Sequence, residues 1–169
     1  NPPLYEWLRS PIIYLEKGRF AGQLRDFASL SYSPSAGLHH YLNMAKGNYK
    51  KYLRANKVKV KKYFYVLRPI LACIWIEAKK DNPPIEFVKL LDAANLNRAF
   101  NKEIQKLLER KMLGLESVVE DKIQVIDEFL KEKMSYFENY SHEMFAKRTE
   151  IDNHKLDDLF KEILKEQWS

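Results

Sequence analysis

The chain has 169 residues, of which 46% are hydrophobic and 31% are charged, and its formal net charge is +6. This composition predicts one soluble globular domain, or a domain with an appendage, and excludes a disordered tail. Only five glycines are present, and no long run alternates β-branched with polar residues, which argues against a large sheet. We therefore expect an all-α fold, a compact domain of five to eight helices with an acidic C-terminal helical pair.

Apolar residues recur at helical spacing along most of the chain. The predicted helices are, in chain order, 4–8, one or two short helices over 12–27 interrupted at Gly18 and Gly22, a long helix that starts at 34 and includes Leu53, then 58–80, 84–93, 97–112, 119–137 and 155–168. Ser33 is the expected N-cap of the long helix, because Pro34 follows it in the first turn.

The most informative stretch is a window of fifty residues, 27–76, that contains no Asp or Glu. Its nine cationic residues are Lys46, Lys50, Lys51, Arg54, Lys57, Lys59, Lys61, Lys62 and Arg68. Charge concentrated in this way indicates a polyanionic partner, such as a nucleotide phosphate or a nucleic-acid backbone. A solvated basic surface without a partner is the alternative interpretation.

Two predicted helices carry this charge on defined faces. The helix that starts at 34 has one buried face, and its opposite face carries His39, Asn43, Lys46, Lys50 and Arg54. On helix 58–80, Lys61, Tyr65 and Arg68 share one face and Lys62 lies beside them. The cations would neutralise phosphates, and Tyr65 would stack on a base or donate a hydrogen bond. Alternatively, Tyr65 packs in the core and the cations are merely exposed. Arg68 precedes Pro69 among apolar residues, so we expect it to be partly buried and to need a partner.

Motifs for autonomous catalysis are absent from the sequence. It has no Gly-rich phosphate loop and no nucleophile elbow, and its four histidines are scattered, so we expect no metal site. The single cysteine, Cys73, lies in an apolar run and is predicted to be an inert core thiol, which suits a reducing cytoplasm. That run, 70–76, is too short to span a bilayer, so no membrane partner is expected.

The composition changes near residue 115. Residues 116–169 hold fourteen Asp or Glu and eight Lys or Arg. We therefore divide the chain into a basic helical domain, 1–115, and an acidic amphipathic helical appendage, 116–169, packed on it. Nothing in the sequence indicates the oligomeric state.

Three segments resemble a known family, and they read NPPLYEWLRSPIIY (1–14), HHYLNMAKGNY (39–49) and KKYFYVLRPILA (61–72), the last followed by Trp75-Ile76. They are similar to the predicted nucleotidyltransferase family of the DNA polymerase beta superfamily, which is associated with RNA-repair ligase partners in some bacteria and phages. The resemblance covers roughly residues 1–130, and only the part of the family that follows its catalytic module.

The resemblance implies a reaction, and it implies that a catalytic module and a helical part have separate roles in it. The family transfers a nucleoside monophosphate from an NTP to a hydroxyl, and an upstream α/β module with a Gly-Ser turn and an Asp-x-Asp pair holds two Mg²⁺. This chain contains neither motif, so we expect it to be inactive alone, with Mg²⁺ bound only when that module is present. By position, Lys61, Lys62, Tyr65 and Arg68 would face the triphosphate or the acceptor RNA. The secondary candidates would be His40, Lys46 and Tyr49.

Two other hypotheses remain open on the sequence alone. The chain is a stand-alone helical RNA-binding module if its cations follow a backbone and Tyr49 or Tyr65 stacks on bases. It is a protein–protein adaptor if the acidic helices of 116–169 cover the basic face. Charge attraction permits that arrangement, although screening at physiological salt limits it to about 8 Å.

Overall fold

Eight α-helices and one small antiparallel sheet make up the residues that the computed structural model describes, which are 2–16, 18–145 and 153–168. The helices are α1 (Pro2–Leu8), α2 (Phe20–Leu30), α3 (Pro34–Tyr52), α4 (Val60–Lys79), α5 (Phe87–Ala93), α6 (Arg98–Met112), α7 (Gln124–Phe145) and α8 (Asn153–Trp168). The strands are β1 (Lys57–Lys59) and β2 (Val119–Asp121), and a 3₁₀ turn spans Leu115–Ser117. The predicted all-α fold class is confirmed.

The centre of the fold is a hairpin formed by α3 and α4. The first helix begins as the sequence predicts, because the Ser33 hydroxyl accepts a hydrogen bond from the backbone N–H of Ala36 at 3.3 Å. The two helices run antiparallel: Asn48 near the end of α3 donates to the carbonyl of Tyr65 at 2.9 Å, near the start of α4. This hairpin places the two basic segments of the acid-free window side by side.

The hydrophobic core lies on the inner faces of this hairpin. Its larger cluster joins the hairpin to α5, α6 and α7, and a smaller one packs Phe137 of α7 against residues of α3 and α4. The Cys73 side chain is fully buried in the smaller cluster, and its thiol lies 3.9 Å from the carbonyl oxygen of Leu38. Burial raises the pKa of the Cys73 thiol, as expected for an unreactive core cysteine.

The sheet is a feature that helical periodicity does not predict. Residues 57–59 and 119–121 form strands, so α4 begins at Val60 and α7 only at Gln124, which corrects the predicted starts at 58 and 119. The strands pair with Lys57 opposite Asp121, Val58 opposite Glu120 and Lys59 opposite Val119. Opposite charges and a buried Val58 favour this pairing, which depends on residues far apart in the sequence.

The helices predicted over 12–27 also need correction. Helix α2 runs from Phe20 to Leu30 without interruption at Gly22, whereas the described residues from Ser10 to Arg19 are not helical. Gly18 adopts a positive φ of 65°, a conformation that glycine tolerates best and that ends a helical path. Four consecutive apolar side chains of this segment, from Ile12 to Leu15, are therefore exposed instead of packed on a helix face.

The acidic segment contributes to both the sheet and the helical core. Its strand β2 pairs with β1, and its helix α7 packs against α3 and α4, while α8 lies against α2. The division of the chain at residue 115 stays a prediction. None of the described helices combines the length and the apolar character needed to cross a membrane.

Leu71→Ala tests the position of the core. The Leu71 side chain is fully buried in the larger cluster, so its truncation should lower the free energy of unfolding by about 2–5 kcal/mol. Leu30→Ala is the matched control, because Leu30 is 88% exposed at the end of α2 and its truncation should cost less than about 0.5 kcal/mol. Urea titrations measure both, and equal effects of the two changes would contradict the assigned core.

Candidate functional site

The turn between α3 and α4 gathers most of the cations of the acid-free window. We call seven of them the hairpin-end cations: Lys50, Lys51, Arg54, Lys57, Lys59, Lys61 and Lys62. Within the described part of the chain, none of the seven lies within 4.0 Å of a carboxylate oxygen. The two remaining cations of the window, Lys46 and Arg68, are both in ion pairs. The unpaired charge is therefore concentrated at one end of the hairpin.

Two tyrosines line the α4 side of this surface. The Lys62 ammonium lies 3.8 Å from the ring centroid of Tyr52 and 4.4 Å from that of Tyr65. The two rings meet edge to face with their centroids 5.8 Å apart, and Tyr65 is 44% exposed. A hydrogen bond from Lys51 and the charges of Lys51 and Lys62 lower the pKa of the Tyr52 phenol, which indicates a positive local potential.

Of the four residues predicted as one site, three lie at this surface. Lys61 donates a hydrogen bond to the Ser117 hydroxyl at 3.3 Å, and Lys62 and Tyr65 are in contact through the cation–π interaction. Tyr65 is not a core residue, contrary to the alternative that the sequence left open. Aromatic rings beside unpaired cations are the combination that binds bases and phosphates together.

Arg68 has a different environment. Both of its terminal nitrogens donate to one carboxylate oxygen of Glu6, at 3.1 and 3.2 Å, and the Tyr41 hydroxyl donates to the same oxygen at 2.6 Å. Arg68 is partly buried and has a partner, as expected, but that partner belongs to α1 of the same chain. His40 lies beside this cluster, with its ring 5.2 Å from that of Tyr41. Burial lowers the pKa of His40, and the Glu6 carboxylate opposes that shift.

The other two secondary candidates lie on the opposite side of α3, against α7. Lys46 forms an ion pair with Glu138 at 2.6 Å, and the Tyr49 hydroxyl donates to Asp127 at 2.7 Å. Asp127 is 3% exposed and also accepts from Lys122 at 3.2 Å and from Lys131 at 2.9 Å. Burial alone would raise the pKa of Asp127, but hydrogen bonds from Lys131, Tyr49 and Lys122 outweigh it and lower the pKa.

Glu6 and Asp127 are the important residues that the sequence did not single out. Glu6 of α1 binds Tyr41 and Arg68 of the hairpin, and Asp127 of α7 binds Tyr49 of the hairpin, so each fixes the position of a helix against the hairpin. The sequence pattern around Asp127 could have identified it, because Asp127 lies beside Ile126 and Leu130, which are fully buried core residues of the same helix. An acid on the buried face of an amphipathic helix indicates a partner in the core.

The acidic segment touches the hairpin end through β2 and Ser117, but none of its described carboxylates forms an ion pair with a hairpin-end cation. The ion pairs that its carboxylates form join Glu120 to Arg110, Asp127 to Lys122 and Lys131, Glu132 to Lys133, Glu138 to Lys46, and Asp158 to Lys161. Lys46 is the one member of the acid-free window among them. In the same residues, no group of three His, Cys, Asp or Glu is placed so that it could hold a metal ion.

Comparison with known proteins identifies the family to which the chain belongs. The family described as the RNA repair pathway DNA polymerase beta family matches residues 1–162, so the similarity continues past residue 130 into the acidic segment. The uncharacterized protein YcgL of Bacillus subtilis (strain 168) is 40% identical over 168 residues, which are 99% of this chain and 64% of the relative. The chain thus spans just under two thirds of that relative's length. No solved structure matches the chain significantly.

Asp127→Asn should destabilise the fold in a pH-dependent way. Near pH 7 it leaves Lys122, itself largely buried, without a counter-charge, so unfolding should become easier by about 3 kcal/mol. Because the pKa of Asp127 is lower in the folded chain than in the unfolded one, its contribution is complete above the unfolded value of about 4 and is lost as the pH falls below it.

Urea unfolding at several pH values measures this effect, and the difference between wild type and variant should shrink in acid. The control is Asp92→Asn, since Asp92 is exposed on α5 and forms no ion pair with the described residues. An Asp127→Asn deficit that stays constant down to pH values well below 4 would contradict the assigned ion pairs.

Proposed function

Because the chain belongs to the RNA repair pathway DNA polymerase beta family, we propose that it is the nucleotide- or nucleic-acid-binding helical part of a nucleotidyltransferase. The whole nucleotidyltransferase would transfer a nucleoside monophosphate from an NTP to a hydroxyl. The chemistry would be carried by a catalytic module outside these residues. The greater length of the relative from Bacillus subtilis leaves room for such a module.

The observation that carries this proposal is the set of hairpin-end cations. Seven like charges gathered at one end of a hairpin repel each other, and none of them forms an ion pair with a carboxylate of the described residues, although Asp121 lies opposite Lys57 in the sheet. A polyanion would relieve this repulsion and would release counterions from both partners, which is the main source of affinity in phosphate recognition. Two of the nine cations are in ion pairs within the chain, and the other seven have no carboxylate partner among the described residues.

Within this surface each residue has a definite role in the proposal. Lys61 and Lys62 neutralise phosphate oxygens, and Tyr65, which is 44% exposed and meets Tyr52 edge to face, offers its ring to a base. Arg68 is a positioning residue, because its bond to Glu6 joins α4 to α1. Tyr41 donates to the same carboxylate. The helical part therefore orients phosphates and does not react with them.

The residues that the structure describes do not offer a ligand set for a pair of Mg²⁺ ions. Asp121 lies opposite Lys57 in the sheet, but no three described His, Cys, Asp or Glu residues come together as a possible metal site. Hard divalent cations require several oxygen ligands at one point. We assign this chain the binding of phosphates and leave metal binding to the catalytic module.

The double variant Lys61→Gln/Lys62→Gln tests the proposal. It should weaken binding of a single-stranded oligoribonucleotide, or of ATP, by about tenfold at low salt. It should also reduce the slope of log affinity against log salt for the oligonucleotide by about 0.7 for each phosphate that is no longer neutralised. Both side chains lie at the protein surface, so thermal unfolding should be nearly unchanged. Fluorescence anisotropy across a salt series measures the binding.

The control is Lys79→Gln/Lys102→Gln, which removes the same charge from exposed lysines at the far end of α4 and on α6. Both lysines lack an ion pair within the described residues. An equal decrease of affinity in the two double variants would show that only net charge matters and would contradict the site.

A further inference from the structure

A groove runs between the C-terminal half of α3 and the middle of α7. Its volume is about 480 Å³, and it is open to solvent along its length. The residues that line it are Lys46, Gly47, Tyr49, Lys50, Arg54, Lys131, Met134, Ser135 and Glu138. This volume lies in the range of about 300–1,000 Å³ that is typical of ligand sites.

The lining of the groove is strongly basic. It contains four cations and one carboxylate, and that carboxylate, Glu138, is bound to Lys46. Lys131 is engaged with Asp127 but remains 59% exposed. Lys50 and Arg54 are exposed, and neither has a carboxylate partner among the described residues. Lys46 and Lys50 are one turn apart on α3, about 6 Å along its axis. The charge therefore forms a row and not a single point, which suits a polymeric anion.

Helix α3 separates this groove from the α4 side of the basic surface. On one side of the helix, Asn48 bonds to the Tyr65 carbonyl and the Lys62 ammonium lies over Tyr52. On the other side, Lys46 and Tyr49 bond to residues of α7. With side chains, a helix is about 10–12 Å across. A strand that passes around the end of the hairpin would touch both sides, whereas a single nucleotide would occupy one of them.

Gly47 in the groove has no structural reason to be glycine. It lies inside α3, where glycine destabilises a helix relative to alanine, and it has no positive φ that would require it. A Cβ atom placed on Gly47 meets nothing within 4 Å, so no neighbour excludes a side chain either. The missing side chain keeps the helix backbone accessible from the groove. Close approach of a ligand is a common use of glycine at such a position.

We propose that the groove between α3 and α7 is a second phosphate-binding site, and that it holds the phosphodiester backbone of a single-stranded RNA. The inference rests on the proposed function, because the choice of RNA follows from the family. It adds a path for the strand on the side of α3 away from Lys61, Lys62 and Tyr65. The row of cations contacts successive phosphates, and Gly47 lets the backbone come close to the helix.

Substitutions of Gly47 test the groove while every side chain that packs in the fold is kept. Gly47→Glu puts a carboxylate beside Lys50, and Gly47→Gln adds a neutral side chain of nearly the same size. Both should fold at least as stably as the wild type, because the position is open and both residues favour a helix more than glycine does. For a uridine oligoribonucleotide of about 20 nucleotides, the Glu variant should bind about tenfold more weakly than the Gln variant at low salt. Binding of ATP should be the same in both.

A second pair of changes removes charge from the groove. Lys50→Gln/Arg54→Gln should reduce the salt slope for the same oligoribonucleotide by about 1.4, since the slope for single strands is about 0.7 for each neutralised phosphate. Lys79→Gln/Lys102→Gln again serves as the control for net charge, and its slope should match that of the wild type. Thermal unfolding followed by circular dichroism shows whether each variant retains its fold.

The outcomes separate this inference from the proposed function. Equal RNA binding by Gly47→Glu and Gly47→Gln would overturn the groove site, and the proposed function would stand if Lys61→Gln/Lys62→Gln still weakens binding. An equal decrease of ATP and RNA binding in Gly47→Glu would overturn the assignment to RNA and indicate a triphosphate site. An effect of the groove variants without any effect of the α4 variants would support the groove and contradict the assignment of Lys61 and Lys62.

Discussion

The central hairpin carries an excess of positive charge that its own residues do not neutralise. No acid occurs between residues 27 and 76, so every carboxylate that neutralises a cation of this window must come from outside it. Among the described residues, two carboxylates form such ion pairs: Glu6 of α1 with Arg68, and Glu138 of α7 with Lys46. The seven hairpin-end cations have no such partner in the described residues. Their mutual repulsion favours a bound polyanion, and this is the physical basis of the proposed function.

Helix α3 lies between the two basic surfaces. One side of it contacts α4, where Tyr52, Lys62 and Tyr65 form a mixed aromatic and cationic surface, and the other side contacts α7 across the groove that contains Gly47. Asp127 joins α7 to α3 through the hydroxyl of Tyr49, and Lys122 and Lys131 neutralise its charge. Because α3, α4 and α7 share one hydrophobic core, the helices that carry both basic surfaces are packed together before any ligand arrives, which lowers the entropic cost of binding.

The sequence predicts those features that local spacing encodes. Helical periodicity locates most helices, Ser33 marks the start of α3, and the concentration of cations is visible without a structure. The strands at 57–59 and 119–121 could not be predicted, because each is only three residues long and depends on a distant partner. For the same reason spacing alone groups Arg68 with Lys61 and Tyr65, although Glu6 of a different helix holds it. Spacing identifies a shared helix face, whereas the partner across that face is set by tertiary packing.

The most direct measurement is amide chemical-shift mapping of the isotope-labelled chain titrated with a single-stranded oligoribonucleotide. The proposal places the perturbed amides at the end of the central hairpin, in the C-terminal half of α3, in β1 and in the first two turns of α4, with a smaller set in α7 along the groove. The perturbations should diminish together as salt is added, since the contacts are electrostatic. Perturbations confined to α5, α6 or α8, or no perturbation at low salt, would contradict the claim that the hairpin-end cations bind a polyanion.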